Sequence, residues 1–143
     1  MRADADGGDG EADDGADPCW EYPCGTTGTR LGNIFPDESY TSVNLAADGY
    51  LGDDGLFGMR DLFQANEAHG GTLKAVLVFV TATWCPYCAD EADQLEDLYQ
   101  EVKDQGILLV GLVAQGSTGR PPSASVGRSY AAAHGWTFPT VIT

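Results

Sequence analysis

Basic residues are scarce in this chain: seven Lys and Arg stand against 22 Asp and Glu, for a formal net charge of −15. Nucleic acid and anionic membrane surfaces are polyanions, so this imbalance argues against both as partners. Long apolar runs are missing too. The longest, Ile107 to Ala114, falls far short of the ~20 residues that a helix needs to cross a bilayer. The start of the chain has no basic stretch followed by an apolar one, so no signal peptide is visible in it. Histidine is limited to His69 and His134, each alone near an expected helix end and suited to a surface role rather than to a metal.

What is present suffices for one core and an appendage. The chain has 143 residues, and 43% of them are hydrophobic, enough for a packed interior but not for two. Residues 1–17 hold seven acids and one base and otherwise, after Met1, only Ala and Gly. Such a segment cannot offset the entropy of ordering, and it reads as a disordered acidic tether. A calcium loop counted from Asp4 would need Gly at its sixth position and Glu at its twelfth; Asp9 and Gly15 stand there instead. Residues 18–27 form a short aromatic loop bounded by Cys19 and Cys24. Residues 28–143 form the folded domain.

Residues 26–55 read as hairpins and turns, rich in Gly, Asp, Asn and Ser. Gly55 to Ala68 carries apolar residues at helical spacing and is stopped by Gly70-Gly71. Ala75-Val76-Leu77-Val78-Phe79-Val80 is β-rich throughout and predicts a strand buried on both faces. Beyond Cys88, the residues Ala89, Ala92, Leu95, Leu98, Tyr99 and Val102 recur every three or four positions and define one face of a long helix, with Gly106 as its stop. Ile107 to Ala114 follows as a second buried strand, which completes a βαβ unit. A loop over Gln115–Ser125, a short helix to about His134 and a third strand from Trp136 to Thr143 finish the chain.

The chemistry sits where the first strand meets the helix, at Trp84-Cys85-Pro86-Tyr87-Cys88. A helix N-terminus offers free backbone N–H groups and the positive end of the macrodipole, and both stabilise a thiolate. Placement of this kind lowers a cysteine pKa from ~8.5 to roughly 3.5–7.5. Pro86 fits the first helical position, where its missing N–H costs nothing. Cys85 is the expected nucleophile, and Cys88, three residues on, can resolve a mixed disulfide. An inert structural disulfide and half a zinc site are the competing readings. Zinc needs four ligands, and Cys19 and Cys24 lie in another segment with a looser spacing.

From Val76 to Cys88 the chain resembles the thioredoxin superfamily, and most of all its TlpA-like envelope members. Gly32 to Asp37, with Pro36-Asp37, resembles the opening segment of TlpA-like and peroxiredoxin-like domains, and Leu56 to Leu62 their small turn and helix before the central strand. Phe138-Pro139-Thr140 is similar to the cis-proline segment that faces the active site and binds the partner's backbone. The resemblance covers residues 28–143 and implies a thioredoxin-like α/β fold, a central sheet with flanking helices, that lacks its C-terminal strand and helix. It also implies that the sequence continues in a longer product, because the chain stops four residues past Pro139.

Two departures from the family pattern bear on mechanism. Thioredoxins carry a buried Asp six residues before the nucleophile; Phe79 occupies that position here. Peroxiredoxins place Thr three residues before their cysteine, and Ala82 stands there. Glu91 and the other acids of the helix read as solvent-facing.

Cys19 and Cys24 enclose an aromatic loop and read as a local structural disulfide that pins Trp20 and Tyr22 over the domain edge. The alternative is a second redox pair relaying electrons to Cys85, although no helix N-terminus activates either thiol. The function implied is thiol–disulfide exchange on protein or small-molecule disulfides. Cys85 and Cys88 are catalytic, Trp84, Pro86, Tyr87, Phe138 and Pro139 shape the partner groove, and no metal or cofactor is needed. Protein thiols or disulfides and an upstream redox partner are the expected partners. The acidic leader and the four cysteines suit an extracytoplasmic setting, in the periplasm or cell envelope, with membrane contact only through a lipid anchor outside this sequence. The alternatives are a non-catalytic binding or structural lipoprotein domain on the same fold, and a peroxiredoxin-like peroxidase.

Overall fold

The computed structural model describes residues 22–68 and 70–143. The expected tether, the Cys19 half of the aromatic loop and His69 lie outside the described residues. Among the described residues eight strands and α-helices follow in chain order: β1 (Ser39–Ser42), β2 (Phe57–Gly58), α1 (Met59–Ala68), β3 (Ala75–Ala82), α2 (Pro86–Val102), β4 (Ile107–Gln115), α3 (Ala124–Ala133) and β5 (Thr140–Ile142). The strands form one mixed sheet in the order β2-β1-β5-β4-β3. β3 and β5 both run parallel to β4, while β1 is antiparallel to β5 and β2. This is a thioredoxin-like α/β fold.

β4 is the strand around which the core is built. Its side chains alternate between two faces, as the two-residue period of a strand requires. Leu108, Val110 and Leu112 pack with Phe57, Met59, Leu62 and Val141 on the side of α1. Leu109 enters the opposite cluster with Ala92 and Leu95 of α2, Ala131 of α3, and Trp136 and Phe138. Covered on both faces, β4 reads in sequence as an almost unbroken apolar run.

Gly111 sits in the middle of this strand because no side chain fits there. A Cβ on it would lie 2.5 Å from Cζ3 of Trp136. The indole instead rests on the strand, and its Nε1–H donates to the carbonyl of Ala92 at 3.0 Å, tying α2 to the segment before β5.

The helix between β3 and β4 follows its periodicity. Ala92 and Leu95 are buried, and Tyr99 and Val102 are half-buried; Leu98 departs from the expected face and is exposed. α2 tightens into a 3-10 turn at Lys103–Gln105 and ends at Gly106, whose φ of 83° is left-handed. A Cβ at Gly106 would meet the Thr72 carbonyl at 2.5 Å, so both conformation and space demand glycine.

β3 does not match its expected burial on both faces. Among the described residues it is an edge strand paired only with β4, and Val76, Leu77 and Val80 are exposed, Val80 to 57%. Residue type alone makes it look central; the strand order leaves one of its edges unpaired. The expected third strand, Trp136 to Thr143, is shorter in the structure, covering Thr140–Ile142. β5 is buried throughout and sits inside the sheet, between β4 and β1.

Candidate active site

β3 ends at Ala82, and a two-residue turn delivers Cys85 to the start of α2. The Cys85 N–H donates back to the Ala82 carbonyl at 3.1 Å, which closes that turn. Cys85 is the N-cap of α2 with extended backbone (φ −90°, ψ 107°), and Pro86 takes the first helical position. The cap is made by sulfur, since the Cys88 N–H donates to Cys85 Sγ at 3.2 Å. Cys85 and Cys88 are joined in a disulfide with Cα atoms 5.3 Å apart, inside the range a bridge spans without backbone movement.

Both cysteines are half-buried, so exposure does not rank them. Position does. Cys85 Sγ receives an N–H from the helix's first turn, whereas no N–H among the described residues donates to Cys88 Sγ. The three neighbours expected to meet a partner are open to solvent: Trp84 is 57% and Tyr87 81% exposed, and Pro86 is also exposed.

Phe138 and Pro139 correct the sequence-based expectation. Both are buried, with Phe138 packed among Ala92, Leu95 and Trp136, and the Pro139 carbonyl accepting the Gly111 N–H at 2.9 Å. None of the described peptide bonds is cis. Because β5 lies within the sheet, the residues leading into it are core rather than a wall beside Cys85.

Cys24 is disulfide-bonded. Its expected pairing with Cys19 falls on a residue outside the described ones. Tyr22 of that loop packs edge-on against Phe63 and donates its hydroxyl to the Phe35 carbonyl at 2.7 Å, so this end of the loop is held to the domain.

Phe79, six residues before Cys85, is half-buried and edge-on to Trp136. The polar pair nearest in sequence is Thr81, buried, whose hydroxyl lies 3.0 Å from that of Tyr130. Two acids of α2 have partners on neighbouring elements: Asp93, which faces solvent as expected, and Glu96, which is half-buried. Asp93 Oδ1 lies 2.6 Å from Nδ1 of His134, and Glu96 accepts both the N–H and the hydroxyl of Thr137 at 2.7 Å. Both contacts brace α2, the helix that carries the cysteines, against the α3–β5 segment.

Gln115 also escaped the sequence reading. It ends β4, accepts the Thr83 N–H on its carbonyl, and takes the Trp84 indole N–H on its side chain. Its only sequence signal is its place as the first polar residue after the run Ile107 to Ala114. Among the described residues, no group of three or more His, Cys, Asp and Glu could hold a metal ion.

The strand–turn–helix carrying this disulfide lies inside the segment, residues 60–142, that matches the AhpC/TSA family. The chain belongs to the AhpC/TSA family. That family is part of the thioredoxin-like superfamily, is typically made of redox enzymes, and covers thiol–disulfide oxidoreductases and peroxiredoxins. No curated protein matches the chain. The AhpC/TSA match runs from α1 through β5 and so contains the Cys85–Cys88 disulfide and both strands of the βαβ unit.

Proposed function

We propose that this AhpC/TSA protein is a TlpA-like thiol–disulfide oxidoreductase. The observation that carries the reading is the Cys85–Cys88 disulfide at the first turn of α2, with Cys85 Sγ capping the helix. In the reducing direction, the Cys85 thiolate attacks one sulfur of a partner disulfide. The new Cys85–partner bond forms as the partner's own S–S bond breaks, and one partner thiolate leaves and takes up a proton. Cys88 then gives up its proton and attacks Cys85 Sγ. The Cys85–Cys88 bond closes, and the second partner thiolate departs. Two electrons have passed to the partner, and an upstream dithiol must return them.

Trp84, Pro86 and Tyr87 form the exposed surface that such a partner meets. The net charge of −15 favours partners with neutral or basic surfaces around the disulfide. We place this activity outside the cytoplasm, where disulfide substrates persist.

Turnover decides the matter. The reduced protein should reduce insulin disulfides catalytically when a dithiol regenerates it; a wild type that binds a partner without turnover would leave only a binding module. The peroxidase reading rests on family membership alone, and Ala82 in place of Thr weighs against it. Consumption of hydrogen peroxide faster than a Cys85→Ser variant would favour it.

A further inference from the structure

Gln115 holds both residues that precede Cys85. Its backbone carbonyl accepts the Thr83 N–H at 2.9 Å, and its Oε1 accepts the Trp84 indole N–H at 3.1 Å. The β3–β4 ladder makes this reach. Thr81 pairs with Val113 but Ala82 pairs with Gln115, so β4 carries one extra residue at this point. A bulge of this kind re-aims the side chain that follows it. Trp84 is 57% exposed and belongs to none of the buried clusters, so packing does little to fix its ring. The bond to Gln115 is the one its N–H makes among the described residues.

We propose that Gln115 is a positioning residue: it fixes the Trp84 indole as one wall of the partner surface beside Cys85 and so favours polypeptide disulfides over small ones. This rests on the redox reading of the cysteine pair. A ring already held in place loses no rotational freedom when a polypeptide covers it, whereas a free ring does. A small aromatic disulfide meets mainly the sulfur and gains little from the wall. The residue type matters as well. A carboxylate here would accept the same indole N–H, but it would add negative charge beside the turn that leads into Cys85 and oppose formation of the thiolate.

The test compares wild type, Gln115→Leu and Gln115→Glu on insulin and on 5,5′-dithiobis(2-nitrobenzoate). Gln115→Leu should raise KM for insulin about fivefold, the ratio that one lost hydrogen bond of ordinary strength corresponds to. Its kcat, and its rate with the small disulfide, should stay within about twofold of wild type, since no reacting group changes. Gln115→Glu keeps the acceptor and should restore the insulin KM, while its reaction with the small disulfide moves to higher pH. The anisotropy of Trp84 fluorescence, isolated by difference from Trp84→Phe, should fall in Gln115→Leu and return in Gln115→Glu. An unchanged insulin KM in Gln115→Leu, or equal losses on both substrates, overturns the proposal. A wild type inactive on both substrates overturns the redox reading instead, which keeps the two failures apart.

Discussion

The backbone N–H of Cys88 donates to Sγ of Cys85 across the first turn of α2, at 3.2 Å. It is one of the N–H groups that a helix leaves without a carbonyl partner at its start. In the reduced protein this N–H and the positive end of the helix are expected to stabilise a Cys85 thiolate. The relationship is one-directional, and it separates two cysteines of similar burial.

In the reduced protein, iodoacetamide at mildly acidic pH should therefore label Cys85 before Cys88. Cys88→Ser should accumulate mixed disulfides with partner proteins, visible on non-reducing gels, and Cys85→Ser should trap none. Equal labelling of the two thiols, with trapping by neither variant, would show the assignment to be wrong.

Gly111 tests the packing under the site. An alanine there would put its Cβ 2.5 Å from Cζ3 of Trp136, an atom of a buried ring that donates to the Ala92 carbonyl. Gly111→Ala should destabilise by about 1–3 kcal/mol, the usual cost of overpacking a core. A lowered urea midpoint is the readout. Trp136→Phe, which removes the clashing part of the indole, should recover some of the loss in the double variant. A Gly111→Ala protein as stable as wild type would mean that the ring does not lie on β4.

Glu96 predicts a loss of stability in acid. Burial disfavours its charged form, but hydrogen bonds from the hydroxyl and N–H of Thr137 and from Gln100, with Lys103 nearby, outweigh burial and hold its pKa below the usual 4.5. A carboxyl with a lowered folded-state pKa contributes stability that is full above its unfolded pKa and disappears as pH falls through the folded value. Glu96→Gln should thus lower the urea midpoint at pH 7, and the gap to wild type should shrink below about pH 4. A gap independent of pH would refute the account.

Asp61 carries the opposite sign. Burial, then Asp54 and Asp37, push its pKa above the ordinary 3.8; Arg60 opposes them and Asp53 adds to them. Its ionisation costs stability at neutral pH, and the cost is relieved as the group takes up a proton. Asp61→Asn should raise the urea midpoint at pH 7 and lose that advantage as pH falls to about 4, near the carboxyl's unfolded-state pKa. The decisive measurement is the pair of denaturation curves at the two pH values.

The strand–turn–helix that carries Cys85 and Cys88 was legible in the sequence because its determinants are local. A β-rich run, two turn residues, a Cys-Pro pair and an amphipathic stretch ended by glycine specify strand, turn and helix start within about one helical turn of each cysteine. The double burial of β4 was equally plain, since a strand covered on both faces needs apolar residues at nearly every position. Tertiary structure alone decided the rest. Whether β3 is central or at an edge depends on which strands pair with it, and alternation of side chains carries no information on strand order. Phe138 and Pro139 became core residues because β5 lies between β4 and β1. Gln115 meets Trp84 across 31 positions, and Glu96 meets Thr137 across 41. Contacts over such separations leave no local pattern: they exist only once the sheet has closed and brought the end of β4 beside the turn that carries Cys85.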